Sequence, residues 1–519
     1  MKVLTAAQMR EVDRRTIEAG MPGIILMENA GLRVVEFLIE RFSPLREHRI
    51  VVFCGKGNNG GDGLVIARQL DVRGLAGTLD VVLGAEPEDL KGDAAANYRM
   101  LIAAGREVHR ELPAGRRDPT IVIDAVLGTG LEGPATGRAL DIIEQIDDMR
   151  LDGAKVVAVD IPSGLPSDSG AALGKHVTAD FTVTFTAPKP VHVLPLNCRL
   201  CGELMVKQIG SPWELYEGDD SIWLSVPESW EFAHFVGVRS LDVHKGDLGH
   251  VLVVGGSRGK TGAPAMTGLA ALRAGAGLVT VASAESAIPV IATHAMEFMT
   301  EPLPETETGG ISLGAFDYGR FASVLERKTM LAVGPGIGTH PDTAAFVRRV
   351  FREAEQPAVI DADGLNALAG IEDWTAAGPR ILTPHPGEMA RLTGLSTEEV
   401  QADRVGVARA FAMQKQVTLV LKGYRTVIAF PNGEVIVNPS GTPALATGGT
   451  GDILTGMIAG LCAQSPGYRD QAVVAAVWLH GRAGELGAEE WGEECLIATD
   501  LLKYLPEAME ECAEALDEL

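Results

Sequence analysis

At 519 residues the chain is too long for one hydrophobic core and calls for two or three domains of ordinary size. Hydrophobic residues make up 46% and charged residues 22%, the balance of a folded, soluble protein, which argues against long disordered tracts. The formal charge of -24, with no dense Lys/Arg run, argues against a nucleic-acid partner, yet glycine-rich helix starts can still bind anionic nucleotides through backbone N–H groups.

The first twenty residues scatter Lys2, Arg10, Glu11, Asp13, Arg14 and Arg15 where a signal peptide needs an apolar core, and no stretch is apolar enough to span a bilayer. Six cysteines, Cys54, Cys198, Cys201, Cys462, Cys495 and Cys512, are too sparse for a disulfide framework, so a reducing, cytoplasmic setting is expected. Cys198 and Cys201 form a C-x-x-C that lacks the second pair of a zinc set, and the spacing is read as coincidental.

From Ile50 the sequence alternates short apolar runs ending in Gly or Asp with longer amphipathic stretches, the pattern of parallel strands crossed by helices. Strands are predicted over 50–54, 78–83, 120–126, 155–160 and 181–185, making residues 1–215 a Rossmann-like, doubly wound α/β domain. The first strand runs into Gly55-Lys56-Gly57-Asn58-Asn59-Gly60-Gly61-Asp62-Gly63 and then a helix over 64–71. Bare glycine backbone at a helix start is a phosphate cradle, to which Asn58, Asn59 and Asp62 add polar side chains.

Two further strand ends converge on the same edge, one leading into Gly128 to Pro134 and the other into Asp160 to Gly164. Residues 128–133 satisfy G-x-G-x-x-G, which raises a dehydrogenase reading. The string sits mid-domain, however, and the acids about 20 residues on, Asp147 and Asp148, fall in a helical stretch instead of at a strand end.

Together with L-M-E-N-A-G at 26–31 and L-T-A-A-Q-M at 4–9, these segments make this half resemble the NAD(P)H-hydrate epimerases, the YjeF N-terminal family. The resemblance implies substrate contacts from Asn58, Asn59, Gly60, Gly61 and Asp62, from Gly128, Thr129, Gly130, Leu131, Glu132, Gly133 and Pro134, and from Asp160. It also implies a potassium ion held by Asn59, Asp124 and Ser163, oxygen ligands that suit a hard cation. In such a hydrate the carbon bearing the hydroxyl also bears the ring nitrogen, so expelling the hydroxyl gives a planar iminium that water can re-enter from either face. Asp160 is the acid/base candidate; several relatives are basic where this chain has Glu132, which leaves a second catalytic group open.

Between about 211 and 241 the periodicity fails in S-P-W-E-L-Y-E-G-D-D, and a new α/β series occupies 225–519. Strands are predicted over 249–255, 278–282, 330–333, 358–361, 380–383 and 418–421, followed by a hairpin over 426–437 turning at Pro431-Asn432-Gly433. Gly255 to Thr261 imitates a P-loop, but Val254 stands where the first glycine is needed. Strand ends at Gly334-Pro335-Gly336-Ile337-Gly338, Asp361-Ala362-Asp363-Gly364 and Thr383-Pro384-His385-Pro386-Gly387-Glu388 line a common crevice. The most informative segment is Gly448-Gly449-Thr450-Gly451-Asp452 ahead of an apolar helix: close backbone approach, unpaired N–H donors, and a carboxylate in the first turn that could deprotonate a hydroxyl attacking a phosphoryl group. Taken alone, Asp452 could instead merely cap the helix.

This ordered set, with H-K-G-D-L-G-H at 244–250, A-L-R-A-G-A-G-L-V at 271–279 and L-K-G at 421–423, resembles the ADP/ATP-dependent NAD(P)H-hydrate dehydratases, a ribokinase-like branch. The resemblance implies a ribokinase-like α/β sandwich in which Asp452 is the base and Ala263, Gly336 and His385 contact the hydrate. Lys422, Gly423, Tyr424, Arg425 and Thr426, with Gly451, would hold ADP or ATP, and Mg2+ is expected with the nucleotide. Phosphorylating the hydrate hydroxyl and then losing phosphate turns a kinase fold into a dehydratase. The partners expected are the small molecules NADHX and NADPHX, with no nucleic acid and no membrane; a homo-oligomer is compatible with the reading. The competing reading is a small-molecule kinase fused to a non-catalytic ligand-binding domain.

Overall fold

The computed structural model describes residues 1–113, 115, 118–131, 133–237 and 239–517, and the chain divides into two units, Met1–Leu224 and Ser225–Leu519. In the first, strands Thr78–Leu83, Arg49–Cys54, Ile121–Ala125, Lys155–Val159, Phe181–Phe185 and Glu203–Lys207 lie in that order in one parallel sheet. Side chains alternate between faces, so Ile50, Val52 and Cys54 join one core with Val34, Leu38, Leu64 and Leu70. Val51 and Phe53 join another with Ile142, Ile143 and Ile146 of helix Arg138–Leu151. Burial on both faces explains why these strands read as unbroken apolar runs.

The strand order is that of a doubly wound sheet whose direction reverses between Arg49–Cys54 and Ile121–Ala125, opening a crevice beyond their carboxyl ends. The prediction missed Glu203–Lys207, an edge strand with only three apolar residues between two charged ones. The helix predicted over 64–71 begins earlier, running Asn58–Val72 with Gly57 as N-cap. Asn58 to Gly63 therefore form its opening turns instead of a loop ahead of it.

In the second unit the strands from His250 onward run in the order Met299–Leu303, Leu278–Ala284, His250–Val254, Met330–Val333, Ala358–Ile360, Arg380–Leu382, Thr418–Leu421, Val427–Ala429 and Val435–Val437. Pairing is parallel up to Thr418–Leu421 and antiparallel through the final hairpin. Met299–Leu303 escaped prediction because Pro302 interrupts it, which an edge strand tolerates. Helix Thr450–Gln464 packs on Gly262–Arg273: a Cβ at Gly456 would stand 2.2 Å from the Thr267 carbonyl oxygen, and one at Gly460 2.5 Å from that of Ala271. Only two bare glycines one turn apart permit that approach, and it sets where the helix start, with Asp452, is delivered. No helix among the described residues is long and apolar enough to cross a membrane.

Candidate active sites

At the switch point of the first sheet lies a cavity of about 840 Å³. Of the residues singled out from sequence, Asn58, Asn59, Asp62, Gly128, Thr129, Gly130, Leu131 and Asp160 line it. Gly60, Gly61, Gly133 and Pro134 do not, and Glu132 lies outside the described residues. Gly60 is bare for packing, since a Cβ there would stand 1.9 Å from the carbonyl oxygen of Gly55.

Asp160 follows strand Lys155–Val159 with φ 66°, a left-handed conformation that neighbours must hold in place. His192 does so: its Nδ1 accepts from the backbone N–H of Lys189 at 2.9 Å, which leaves Nε2–H to donate to the Asp160 carbonyl at 2.9 Å. Burial foremost, with the nearby Lys189 charge, pushes His192 down to about 3, so the ring is neutral. The Lys189 ammonium donates to Asp160 Oδ1 at 2.7 Å, to Thr184 Oγ1 at 2.8 Å and to the Phe185 carbonyl at 3.0 Å. Thr184 Oγ1 donates to the same Oδ1 at 2.9 Å. Burial raises the Asp160 carboxyl, but the Lys189 charge and these hydrogen bonds outweigh it and hold it below the ordinary carboxylate value. Oδ1 is thus saturated, while Oδ2 lies beside Gly128, 3.6 Å from where a Cβ there would stand.

Asp62 is the opposite case. It is nine-tenths buried and makes no hydrogen bond or ion pair with any described residue. Burial, then the charges of Asp160 and Asp13, lift its carboxyl well above the usual value against the pull of Lys189. Asp13, on helix Ala6–Glu18 at the cavity wall, is raised chiefly by burial. Sequence reasoning passed over Lys189, His192, Thr184 and Asp13; its one available signal was a lysine between two prolines just past a strand end.

Beside the cavity, Asp124 and Ser163 meet directly, and Asn59 reaches them through Leu127, whose backbone N–H donates to Ser163 Oγ at 2.8 Å. Asp124 accepts from Ser163 through Oδ1 (Oγ, 2.5 Å) and Oδ2 (backbone N–H, 2.7 Å), and Asn59 Nδ2 donates to the Leu127 carbonyl at 2.9 Å. Burial pushes the Asp124 carboxyl up to about 6 despite the hydrogen bonds from Ser163 and Val126. Asn59 Oδ1 is buried with no hydrogen-bond partner among the described residues.

In the second unit the strand ends bring the predicted residues together. A Cβ at Gly336 would stand 3.3 Å from that of Ala263, and Thr267 Oγ1 lies 3.0 Å from the Ala263 carbonyl and 3.1 Å from that of Asp452. Lys422 Nζ donates to Asp361 Oδ1 at 2.7 Å, and Asp361 Oδ2 accepts from Thr455 Oγ1 at 2.8 Å. A Cβ at Gly451 would stand 3.4 Å from Lys422 Nζ, so the bare turn and the ammonium face one another. Burial first and Asp361 second push the Asp452 carboxyl up to about 6, with Lys422 opposing. His385 Nδ1 accepts from the Gly387 N–H at 3.0 Å, which places the proton on Nε2, 3.6 Å from Glu388 Oε1. Thr426 Oγ1 donates to the Gly423 carbonyl at 3.0 Å, closing the 422–426 turn, in which Arg425 has φ 56° and Tyr424 is exposed. His480, buried and pushed down to about 4 chiefly by desolvation, donates Nε2–H to the Thr450 carbonyl at 3.0 Å and anchors the helix start. Asp361 was read from sequence only as part of a strand-end segment and was given no role, and His480 was not singled out.

Comparison with known proteins agrees with this division. Residues 23–191 match the family model described as YjeF-related protein N-terminus, and residues 251–507 match NAD(P)H-hydrate dehydratase. The chain is 41% identical to the bifunctional NAD(P)H-hydrate repair enzyme Nnr of Moorella thermoacetica, covering 100% of this chain and 98% of that protein. It is 38% identical to the Nnr of Thermofilum pendens, covering 98% and 96%. A crystal structure of the ADP/ATP-dependent NAD(P)H-hydrate dehydratase from Bacillus subtilis, co-crystallized with ATP/Mg2+, is 33% identical and spans 56% of this chain and 98% of its own, with a TM-score of 0.48. The chain belongs to the family of bifunctional NAD(P)H-hydrate repair enzymes.

Proposed function

We propose that the first unit interconverts the R and S hydrates of NADH and NADPH, and that the second dehydrates the S hydrate, consuming ADP and releasing AMP and phosphate. The observation that carries the second activity is the placement of Asp452 in the first turn of a glycine-lined helix start that faces Lys422. With its carboxyl pushed to about 6, Asp452 is mostly ionised at neutral pH and remains basic enough to take the hydroxyl proton as that oxygen attacks phosphorus. Lys422, held by Asp361, offers positive charge to the transferring group, and the bare backbone at Gly451 lets the phosphate approach. Phosphate then departs from the hydrate carbon as the nitrogen lone pair forms an iminium, and loss of a proton from the neighbouring ring carbon to solvent restores the ring C=C double bond.

In the first unit, the ionised Asp160 keeps Oδ2 free for the reacting carbon's water. Asn59, Asp124 and Ser163 fit a potassium ion: each offers a side-chain oxygen, and Asn59 Oδ1, buried without a partner among the described residues, is one that such an ion would satisfy. When bound, the ion would supply fixed positive charge beside the 126–131 segment. Mg2+ would enter the second unit with the nucleotide, whose phosphate oxygens and waters supply most of the ligands this ion takes.

The test is a mixture of R and S hydrates incubated with ADP or ATP while nicotinamide absorbance is followed. The full chain should recover the whole mixture, Asp160→Ala only the S fraction, and Asp452→Asn none while still scrambling R and S. Dehydration at the wild-type rate by Asp452→Asn would remove it as the base, and a stable phosphorylated product would favour the kinase reading.

A further inference from the structure

Epimerisation needs two proton operations that one ionised carboxylate cannot perform at once: the hydroxyl must leave as water, and the returning water must lose a proton. Asp160 is committed to one of them, since Lys189 and Thr184 hold it as a carboxylate whose Oδ2 alone has no hydrogen bond among the described residues. The other calls for a neutral acid in the same cavity. Asp62 lines that cavity from helix Asn58–Val72, is nine-tenths buried, and lacks any hydrogen-bond donor or cation partner among the described residues. A carboxylate so placed would be stranded in a poor solvent, so the group keeps its proton. The buried Asp124 of the same unit is the contrast: both of its oxygens accept hydrogen bonds from Ser163.

We infer that Asp62 is the second catalytic group of the epimerase, the acid that protonates the departing hydroxyl, with Asp160 as its base counterpart. The inference rests on the epimerase reading and gives Asp62 a chemical role there beyond contact. In the forward step the Asp62 proton passes to the hydroxyl oxygen, the C–O bond breaks with its electron pair, and the ring-nitrogen lone pair forms the C=N bond of the iminium. As water adds to that carbon, its oxygen forms the new C–O bond, the C=N pair returns to nitrogen, and the water proton goes to Asp160 Oδ2. Proton return from Asp160 to Asp62 through cavity water resets the site. Running the same steps backwards serves the opposite epimer. Separation of protonation state between two carboxyls of one site is how such acid and base roles are divided elsewhere.

The test uses the full chain, with resolved R hydrate and chromatographic separation of the epimers. Asp62→Asn keeps shape and polarity but cannot donate a carboxyl proton; its kcat for scrambling should fall by about a hundredfold or more with KM within a fewfold of wild type. Asp62→Ala, which leaves space, should regain turnover when formic acid is added, in proportion to the undissociated acid. A near-wild-type KM in Asp62→Asn and rescue of Asp62→Ala report that the first unit is folded, and dehydration of S hydrate by the same preparations reports the same of the second. Wild-type kcat in Asp62→Asn, a rise in KM alone, or loss of turnover in Asp13→Asn with Asp62→Asn unaffected would each overturn the inference while leaving the epimerase reading standing. Failure of the wild-type chain to scramble the hydrates would instead remove that reading itself.

Discussion

The Lys189 ammonium stands 2.7 Å from Oδ1 of Asp160, and its other two protons go to Thr184 and to the Phe185 carbonyl. All three donors are spent, so this lysine serves as a buried clamp that keeps Asp160 ionised. Lys189→Met removes the clamp and lets burial raise the Asp160 carboxyl. Scrambling of R hydrate should fall steeply at neutral pH and recover partly as pH rises and Asp160 ionises again. A flat pH profile at the reduced rate would show that Lys189 acts otherwise. Lys189→Arg should not substitute, because a planar guanidinium cannot reproduce three convergent bonds from one nitrogen.

The raised carboxyl of Asp452 sets the acid side of dehydration. As the proposed base, Asp452 works only when deprotonated, so kcat/KM should climb with pH to about 6 and then level off. Asp361 is the like charge that raises it, so Asp361→Asn should move this limb to lower pH. The variant also frees Lys422, so the plateau should drop as well. Rate measurements from pH 4.5 to 8 check both effects, and an unmoved limb would detach the profile from Asp452.

Gly451→Ala meets no backbone strain, since Gly451 opens a helix at ordinary negative φ. The new methyl, 3.4 Å from Lys422 Nζ and 3.8 Å from Asp361 Oδ2, would instead occupy the space left for phosphate. Dehydration should fall by about a hundredfold, the scale expected when a reacting group is displaced by roughly 1 Å, while scrambling is unchanged. Assaying both activities on one preparation checks it.

His480 makes the second unit acid-sensitive. Its folded value of about 4 lies below the unfolded 6.5, so between these pH values the unfolded chain binds the extra proton and stability falls as pH drops. The full loss, reached near pH 4, is on the order of 3 kcal/mol. Urea unfolding of the second unit at pH 7 and pH 5 should show the decline, and His480→Asn should flatten it. His192 imposes the same sign on the first unit.

Much of the architecture was written locally. Apolar runs ending in Gly or Asp marked most strands because a sheet buried on both faces needs unbroken hydrophobic segments. Where that need lapsed, at the charged edge strand Glu203–Lys207 and at Met299–Leu303 with its Pro302, the pattern lapsed too. The glycine strings and Asp452 were legible because a phosphate site at a helix start uses neighbours in sequence.

What the sequence determined by itself was therefore the two α/β units, the glycine-rich strand-end segments, and an aspartate at the head of helix Thr450–Gln464. Only the tertiary structure decided which groups act on one another. Lys189 reaches Asp160 across 29 positions, Lys422 reaches Asp361 across 61, and Thr455 reaches the same Asp361 across 94. Strand order and the close approach of helices at Gly456 and Gly460 set those meetings; burial raises the Asp62 carboxyl, while at Asp160 Lys189 and the hydrogen bonds outweigh burial, so two aspartates of one cavity are driven toward opposite protonation states.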